Sequence, residues 1–334
     1  MVLKSRFRVH IVGPVCRFVA ERGGDVAALL KRAQLPADAA TQPWVEMTLP
    51  ALHRFHSEAE KASGEPLLGV RVGQSLPPTT WDVIQLACRS AKTLGEALRA
   101  VPALIGLFNV YVELQVTPGD GSDAGREPGK SEWSLDHRIA GEPEGLSRHG
   151  NELWVATVLS QMQRVTGAEV KPTRLWFGHA KPKCASEVGA ALGCARVTWG
   201  AGSTGLAVSA RDAERAVLSA DPMTAQVLDR LATQVLGQTA QRRGTAALVY
   251  GALREMQGRV PGIREVAKTL ALSERSLQRG LQEEGANFRE LVDQARRDLT
   301  RELQAREVPL DEVADQLGYA DVASLKRAMA RWGR

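Results

Sequence analysis

Between Pro261 and Trp332 one pattern occurs twice, and it restricts the fold more than any other stretch of the chain. The first copy reads PGIREVAKTLALSERSLQRGLQEEG, in which Val266, Ala267 and Leu270 fall on one face of a short helix. Ala271, Leu272 and Ser273 make a tight corner, and Ser273 is suited to cap the next helix. Leu277 and Leu281 then face back, with the small Ala267 where two helices must approach. In the second copy, VPLDEVADQLGYADVASLKRAMARW, Val313, Ala314 and Leu317 line one helix. Leu325, Ala328 and Met329 line the other, and Gly318 suits a left-handed corner. Ala267 and Ala314 lie 47 residues apart. The step from small Ala to inward Leu is 10 residues in the first copy and 11 in the second, which predicts one extra residue in the second corner.

The intervening run, NFRELVDQARRDLTRELQARE, carries Phe288, Leu291, Val292, Ala295, Leu299 and Leu303 at helical spacing. Arg289, Arg296, Arg297 and Arg301 sit mostly off that stripe. One rigid helix joining two helix-turn-helix units can hold two recognition helices about 34 Å apart, one turn of DNA, so that both enter major grooves. After the first corner, helical spacing points Glu274, Arg275, Gln278, Arg279 and Gln282 outward. Arginine can pair with the guanine edge and glutamine with adenine. The corresponding second positions are Val322, Ala323, Ser324 and Arg327, with Lys326 and Arg331 nearby. Val322 and Ala323 offer only a methyl contact, so this half is expected to hold backbone more than read bases.

This constellation resembles the DNA-binding domain of the AraC/XylS family of transcription regulators. The resemblance runs from about Thr245 to Arg334 and rests on REVA…LALSERSLQR and LDEVADQLGY. Matched to the family motif, Arg275, Gln278 and Arg279 fall where base- and phosphate-contacting side chains lie. The rest of the chain resembles the arabinose-binding-like effector and dimerisation domain of that family, through LLGVRVGQ, TLGEALR, FGHAKPK and LGCARVTWGAGSTGLAVSARD. Leu325 and Met329 stand where relatives carry aromatic residues, and relatives continue past Arg331 and Trp332 with a Pro-containing tail.

At 334 residues the chain has room for two domains with separate cores. A net charge of +5 favours an anionic partner. From residue 241 onward there are roughly 17 basic against 14 acidic side chains, so placement matters more than total charge. Cys16, Cys88, Cys184 and Cys194 form no C-x-x-C pair and read as reduced thiols. The apolar run HIVGPVC is too short for a secretory signal, and no stretch is apolar for long enough to predict a membrane span.

Toward the N-terminus, residues 9 to 32 predict two helices around a Gly23-Gly24 corner, with Asp25 capping the second. A helix is expected at 49 to 61, a short apolar stretch at 66 to 73, then helices in TWDVIQLACRSAK and TLGEALRAVPALIGLFN, the latter capped by Thr93. VYVELQVTP and SEWSLDH alternate as strands around an exposed loop, PGDGSDAGREPGK. NELWVATVLSQMQRVTG is a helix, TRLWFGHA a strand, ASEVGAALG a short helix, and ARVTW with GLAVSA a hairpin. A further helix, DPMTAQVLDRLATQVLGQTA, leads to a linker and to the helix TAALVYGALREMQGR.

Other motifs point nowhere sharper. Gly200, Gly202 and Gly205 match G-x-G-x-x-G, but LAVSA follows where a dinucleotide site needs a helix, so a hairpin turn is expected. His53 and His56 lack further ligands at suitable spacing and read as a helix surface with one partly packed ring. Trp44, Trp81, Trp133, Trp154, Trp176 and Trp199 read as core, with some able to line an effector pocket.

The expectation is an α+β effector-sensing and dimerisation domain over 1–238, a linker at 239–245, and an all-α domain of two helix-turn-helix units joined by a long helix over 246–334. The expected DNA-binding residues are Arg275, Gln278, Arg279, Gln282, Ser324, Lys326, Arg327 and Arg331. Together with the resemblance these imply a bacterial transcription regulator, an activator, and not an enzyme. Its expected partners are double-stranded promoter DNA, RNA polymerase, a small-molecule effector and a second copy of itself. No cofactor, metal or membrane is expected, and the cytoplasm, at the nucleoid, is the expected location. The alternative is an interaction or sensor protein whose shortened DNA-binding module no longer binds specifically.

Overall fold

The computed structural model describes residues 7–77, 80, 82–105, 112–119, 132–139, 142, 144–228, 230, 245–256, 261–305 and 308–332. The loop expected between the strands of 112–139, the linker, Trp81 and the ends of two predicted helices lie outside them. The chain divides into two compact units, Met1–Gly237 and Gln238–Arg334. The first mixes helices with two sheets, and the second is helical among the described residues.

In the first unit, α1 (Val12–Glu21) and α2 (Val26–Ala33) flank the glycine corner, and the Asp25 side chain accepts from Ala28 N, as expected. α3 (Leu49–Ser63) starts at the Thr48 cap. β1 (Phe7–Val9) pairs with β2 (Val45–Met47) in an antiparallel two-stranded sheet. The apolar stretch at 66–73 is helix α4 (Leu68–Ser75). Its Gly69 and Gly73 let it lie against the backbone of α7 (Arg148–Thr166). A Cβ at Gly73 would stand 2.7 Å from the Ala156 methyl and press on the Leu153 carbonyl.

α5 (Asp82–Ser90) and α6 (Leu94–Ile105) follow, and the Thr93 hydroxyl caps α6 through Glu96 N. The five-stranded sheet runs β3 (Val112–Thr117), β4 (Glu132–Ile139), β7 (Thr204–Ser209), β5 (Arg174–Phe177), β6 (Val197–Trp199). This corrects the expected hairpin. β6 pairs in parallel with β5, after the crossover through α8 (Ala185–Ala191), and β5 separates it from β7. Local alternation marked both strands but carried no information about which neighbour each would take. The glycine-rich connection is a turn, with Gly200 and Gly202 at φ +71 and +73, and a strand follows it. A short α9 (Ala210–Ala213) closes the sheet region, and residues 222–228 are helical.

In the second unit, α10 (Thr245–Glu255) precedes α11 (Ile263–Thr269), α12 (Glu274–Glu283), α13 (Phe288–Ala305), α14 (Leu310–Gln316) and α15 (Val322–Trp332). The predicted stripe of α13 is inward, with Leu291, Val292, Ala295 and Leu303 buried. Among the described residues, no helix is long and apolar enough to cross a membrane.

Candidate nucleic-acid interface

Each helix pair of the second unit turns on the same two backbone hydrogen bonds. At the first corner Leu272 N donates to Ala267 O (2.8 Å) and Ala271 N to Lys268 O (3.1 Å). At the second, Tyr319 N donates to Ala314 O (2.9 Å) and Gly318 N to Asp315 O (2.9 Å), again 47 residues on. Both closures need a left-handed residue. Gly318 supplies it at φ +69 and Ala271, a non-glycine, at φ +53. Ser273 then caps α12 through Ser276 N (3.0 Å), and Asp321 caps α15 through Ser324 N (2.6 Å). The caps lie 48 residues apart, so the second corner does hold one more residue. Leu277 and Leu325, the inward leucines, are fully buried.

Burying Leu277 and Leu281 leaves the opposite face of α12 in solvent. Arg275, Gln278, Arg279 and Gln282 are all exposed there, and Arg279 makes only a loose pair with Glu283 at 3.6 Å. On α15, Lys326, Arg327 and Arg331 are exposed and Ser324 is half-buried. Arg327 donates to Ser324 Oγ (2.9 Å), and Arg331 pairs with Asp293 of α13 (3.1 Å). Val322 is partly packed against the cluster of Leu303, Val313, Leu317 and Leu325, which withdraws it from the outward set.

Three supporting residues escaped the sequence reading. The Arg296 guanidinium donates to Leu317 O (3.0 Å) and lies 4.5 Å above the Tyr319 ring, so α13 grips the second corner directly. Glu284 accepts from Thr245 N and Ala246 N, anchoring the start of α10 with a carboxylate where helix N–H groups are unpaired. Gly280 leaves room for Thr245, whose Cβ would stand 2.9 Å from an added methyl. A glycine inside an otherwise regular helix was the one available signal of that approach.

The first unit encloses a second candidate site. A cavity of about 170 Å³ lies between α7, α5, α6, β3, β4 and the β1 segment. At the N-terminal end of α7 a polar cluster packs around Glu152, which is fully buried. Burial opposes its charge, but the His149 and His179 rings, each 3.6 Å from a carboxylate oxygen, and the Arg148 guanidinium outweigh it and hold its pKa down at about 2. Arg148 contacts Glu152 (3.2 Å) and Glu60 (3.2 Å), and the side chain of Ser147, at φ +78, caps α7. His53 is the half-buried ring that was expected, but His56 is not on the helix surface. His56 is 2% exposed and pairs with Ser147 Oγ (2.8 Å), and His53 Nε2 meets Gly145 O (3.2 Å). Their face of α3 is covered by the loop before α7, a contact about 90 residues away in sequence. Burial, with His149 and His53 nearby, pushes His56 down to about 3.

Residues 23–217 match the model of the arabinose-binding N-terminal domain of AraC transcription regulators, and 266–333 match a helix-turn-helix domain. The chain therefore belongs to the AraC family of transcription regulators. Among curated relatives it is similar to the ornithine utilization regulator of Pseudomonas aeruginosa, 24% identical over 94% of this chain and 90% of that one. The HTH-type transcriptional regulator VirS of Mycobacterium tuberculosis is 25% identical over 99% and 95%. Among solved structures, that of the transcriptional regulator CdpR from Pseudomonas aeruginosa aligns with 22% identity over 96% and 94%, at a TM-score of 0.46.

Proposed function

We propose that the chain is a transcription activator that grips promoter DNA with two helix-turn-helix units, α11–α12 and α14–α15, held apart by α13. The single observation that carries this reading is the face of α12: four polar side chains stand in solvent opposite two buried leucines. Arg275, Gln278, Arg279 and Gln282 are assigned to the first major groove, where Arg presents a fork of donors to guanine and Gln one donor and one acceptor to adenine. Ser324, Lys326, Arg327 and Arg331 are assigned to the second. There the ion pair of Arg331 and the inward lean of Val322 favour phosphate contacts over base reading. Eighteen residues of α13 span about 27 Å, the scale needed to place two helices near one DNA turn apart.

The domain assignment is 1–238 for sensing and dimerisation, 239–245 for the linker and 246–334 for DNA. A small molecule in the first unit changes the population of the DNA-competent state, and a homodimer recruits RNA polymerase in the cytoplasm, at the nucleoid. The cavity beside α7 supports the sensing role. The reading assigns no catalysis and no cofactor.

Gel shifts on a duplex selected from a random library test it. Arg275→Ala and Arg279→Ala are each expected to cost about 1–3 kcal/mol in specific binding. Binding unchanged in both variants refutes the assignment of α12. A salt titration separates the alternative: equal, weak affinity for all sequences would show a module that no longer binds specifically.

A further inference from the structure

The cavity of the first unit has a chemistry that the family's description does not suggest. It follows α7 from Gly150 to Val165, about 22 Å of helix, and is walled by apolar side chains such as Leu98, Val101, Leu114, Leu135, Leu153 and Met162. No Asp, Glu or Lys is among its described lining residues. The one permanent cation, Arg8, is exposed and already lies 4.3 Å above the Trp44 ring.

Two sealed polar groups in this wall lack a protein partner among the described residues, and the side-chain amide of Gln85, a third wall group, makes no hydrogen bond among them either. One is His56 Nε2, on a ring 2% exposed, and the other is the whole side-chain amide of Gln161, both of whose polar atoms are buried. His56 stands beside Gly150, where an added Cβ would be 3.1 Å from its ring, and Gln161 is eleven residues further along α7, about 16 Å away. An unpaired buried amide costs about 1–3 kcal/mol, so the fold retains it at a price that a ligand can offset. The thiol of Cys88, also in the wall, is pushed up to about 12 by burial, and His56 stays neutral at pH 7, so neither of these two groups offers a charge.

We propose that this cavity binds an uncharged, mostly apolar small molecule whose single amide-like head pairs with Gln161, and that it rejects sugars and amino acids. A sugar would bury several hydroxyls against a wall that is almost wholly apolar, and each unpaired one costs about 1–3 kcal/mol. Among the described lining residues, an amino acid's ammonium would meet no facing carboxylate and a carboxylate would meet no buried cation. A volume of about 170 Å³ compares with the ~150 Å³ apolar cavity that takes up benzene, so a ligand of roughly ten heavy atoms fits.

The proposal rests on the sensing role given to this unit, and two measurements on the full chain separate them. Calorimetry at pH 7.5 with octanamide, octanoate, L-arabinose and L-ornithine reads the cavity itself. Octanamide is expected to bind with a negative heat-capacity change. Octanoate is expected to bind at least about tenfold more weakly, and arabinose and ornithine weaker still. Gln161→Leu, which replaces the unpaired amide by an apolar group and should keep the fold, is expected to weaken octanamide by about tenfold. The proposal is overturned if arabinose or ornithine binds as tightly as octanamide, if octanamide gives no heat, or if folded Gln161→Leu binds it unchanged. Gel shifts with and without octanamide then read control. Binding that leaves DNA affinity unaltered would refute effector control while leaving the cavity's chemistry standing.

Discussion

Ala271 holds a left-handed backbone at the first corner, where the second corner uses Gly318. A side chain in that region costs about 1–2 kcal/mol, partly offset by the lower chain entropy of alanine when unfolded. Ala271→Gly should therefore stabilise the second unit by about 0.5–1 kcal/mol, and Gly318→Ala should destabilise it by a similar amount. Urea unfolding of the two variants checks this, and the opposite signs would show that the corners are not equivalent. In the first unit, His137 is 1% exposed, its two nitrogens find no partner among the described residues, and its ring meets Trp154 edge-on with centroids 4.5 Å apart. His137→Phe keeps the ring contact and removes the unpaired nitrogens, so it should raise stability by about 1–3 kcal/mol. A lower melting temperature would mean that those nitrogens serve a bound partner.

Among the elements, α13 does more than connect. Arg296→Ala removes its hydrogen bond to Leu317 O and its stacking on Tyr319, an expected loss of about 1–3 kcal/mol. Arg296→Lys should not recover it, because only the planar fork satisfies both contacts. Paired urea unfolding curves would show this, and a full rescue by lysine would reduce the residue to a charge. The apolar stripe of α13 was legible because its period is local, whereas the grip of Arg296 depends on where α14 returns. The same limit explains α4. Gly69 and Gly73 dilute its helical pattern, yet they are what α7 needs to approach. It also explains β6, whose alternation was plain but whose neighbour, β5, arrives through a helical crossover. The exposed face of α12 could be read directly, since it is what remains once Leu277 and Leu281 turn inward. The cavity could not, because its wall is assembled from segments between Phe7 and Val165.

Across the whole molecule, each unit has its own apolar clusters, and the buried histidines all belong to the first. Burial holds His56 and His137 at about 3, below the ordinary 6.5. The unfolded chain therefore takes up protons that the folded chain refuses, and stability is lost as pH falls from 6.5 toward 3. Each group contributes roughly 1.4 kcal/mol per pH unit in the lower part of that window. Glu152, held at about 2 against an ordinary 4.5, adds a loss in the same direction below pH 4.5. Melting curves followed by circular dichroism should thus drop between pH 6.5 and 4.5, less steeply in His137→Phe, and a flat profile would contradict the burial. Hydroxyl-radical footprinting on the selected duplex tests the paired insertion of α12 and α15 into DNA most directly. Two protected windows on one face, centred about one helical turn apart for each copy of the chain, are expected. Arg275→Ala should weaken the first window and Arg327→Ala the second. A single window per copy, or two that respond identically to both substitutions, would contradict paired insertion of α12 and α15.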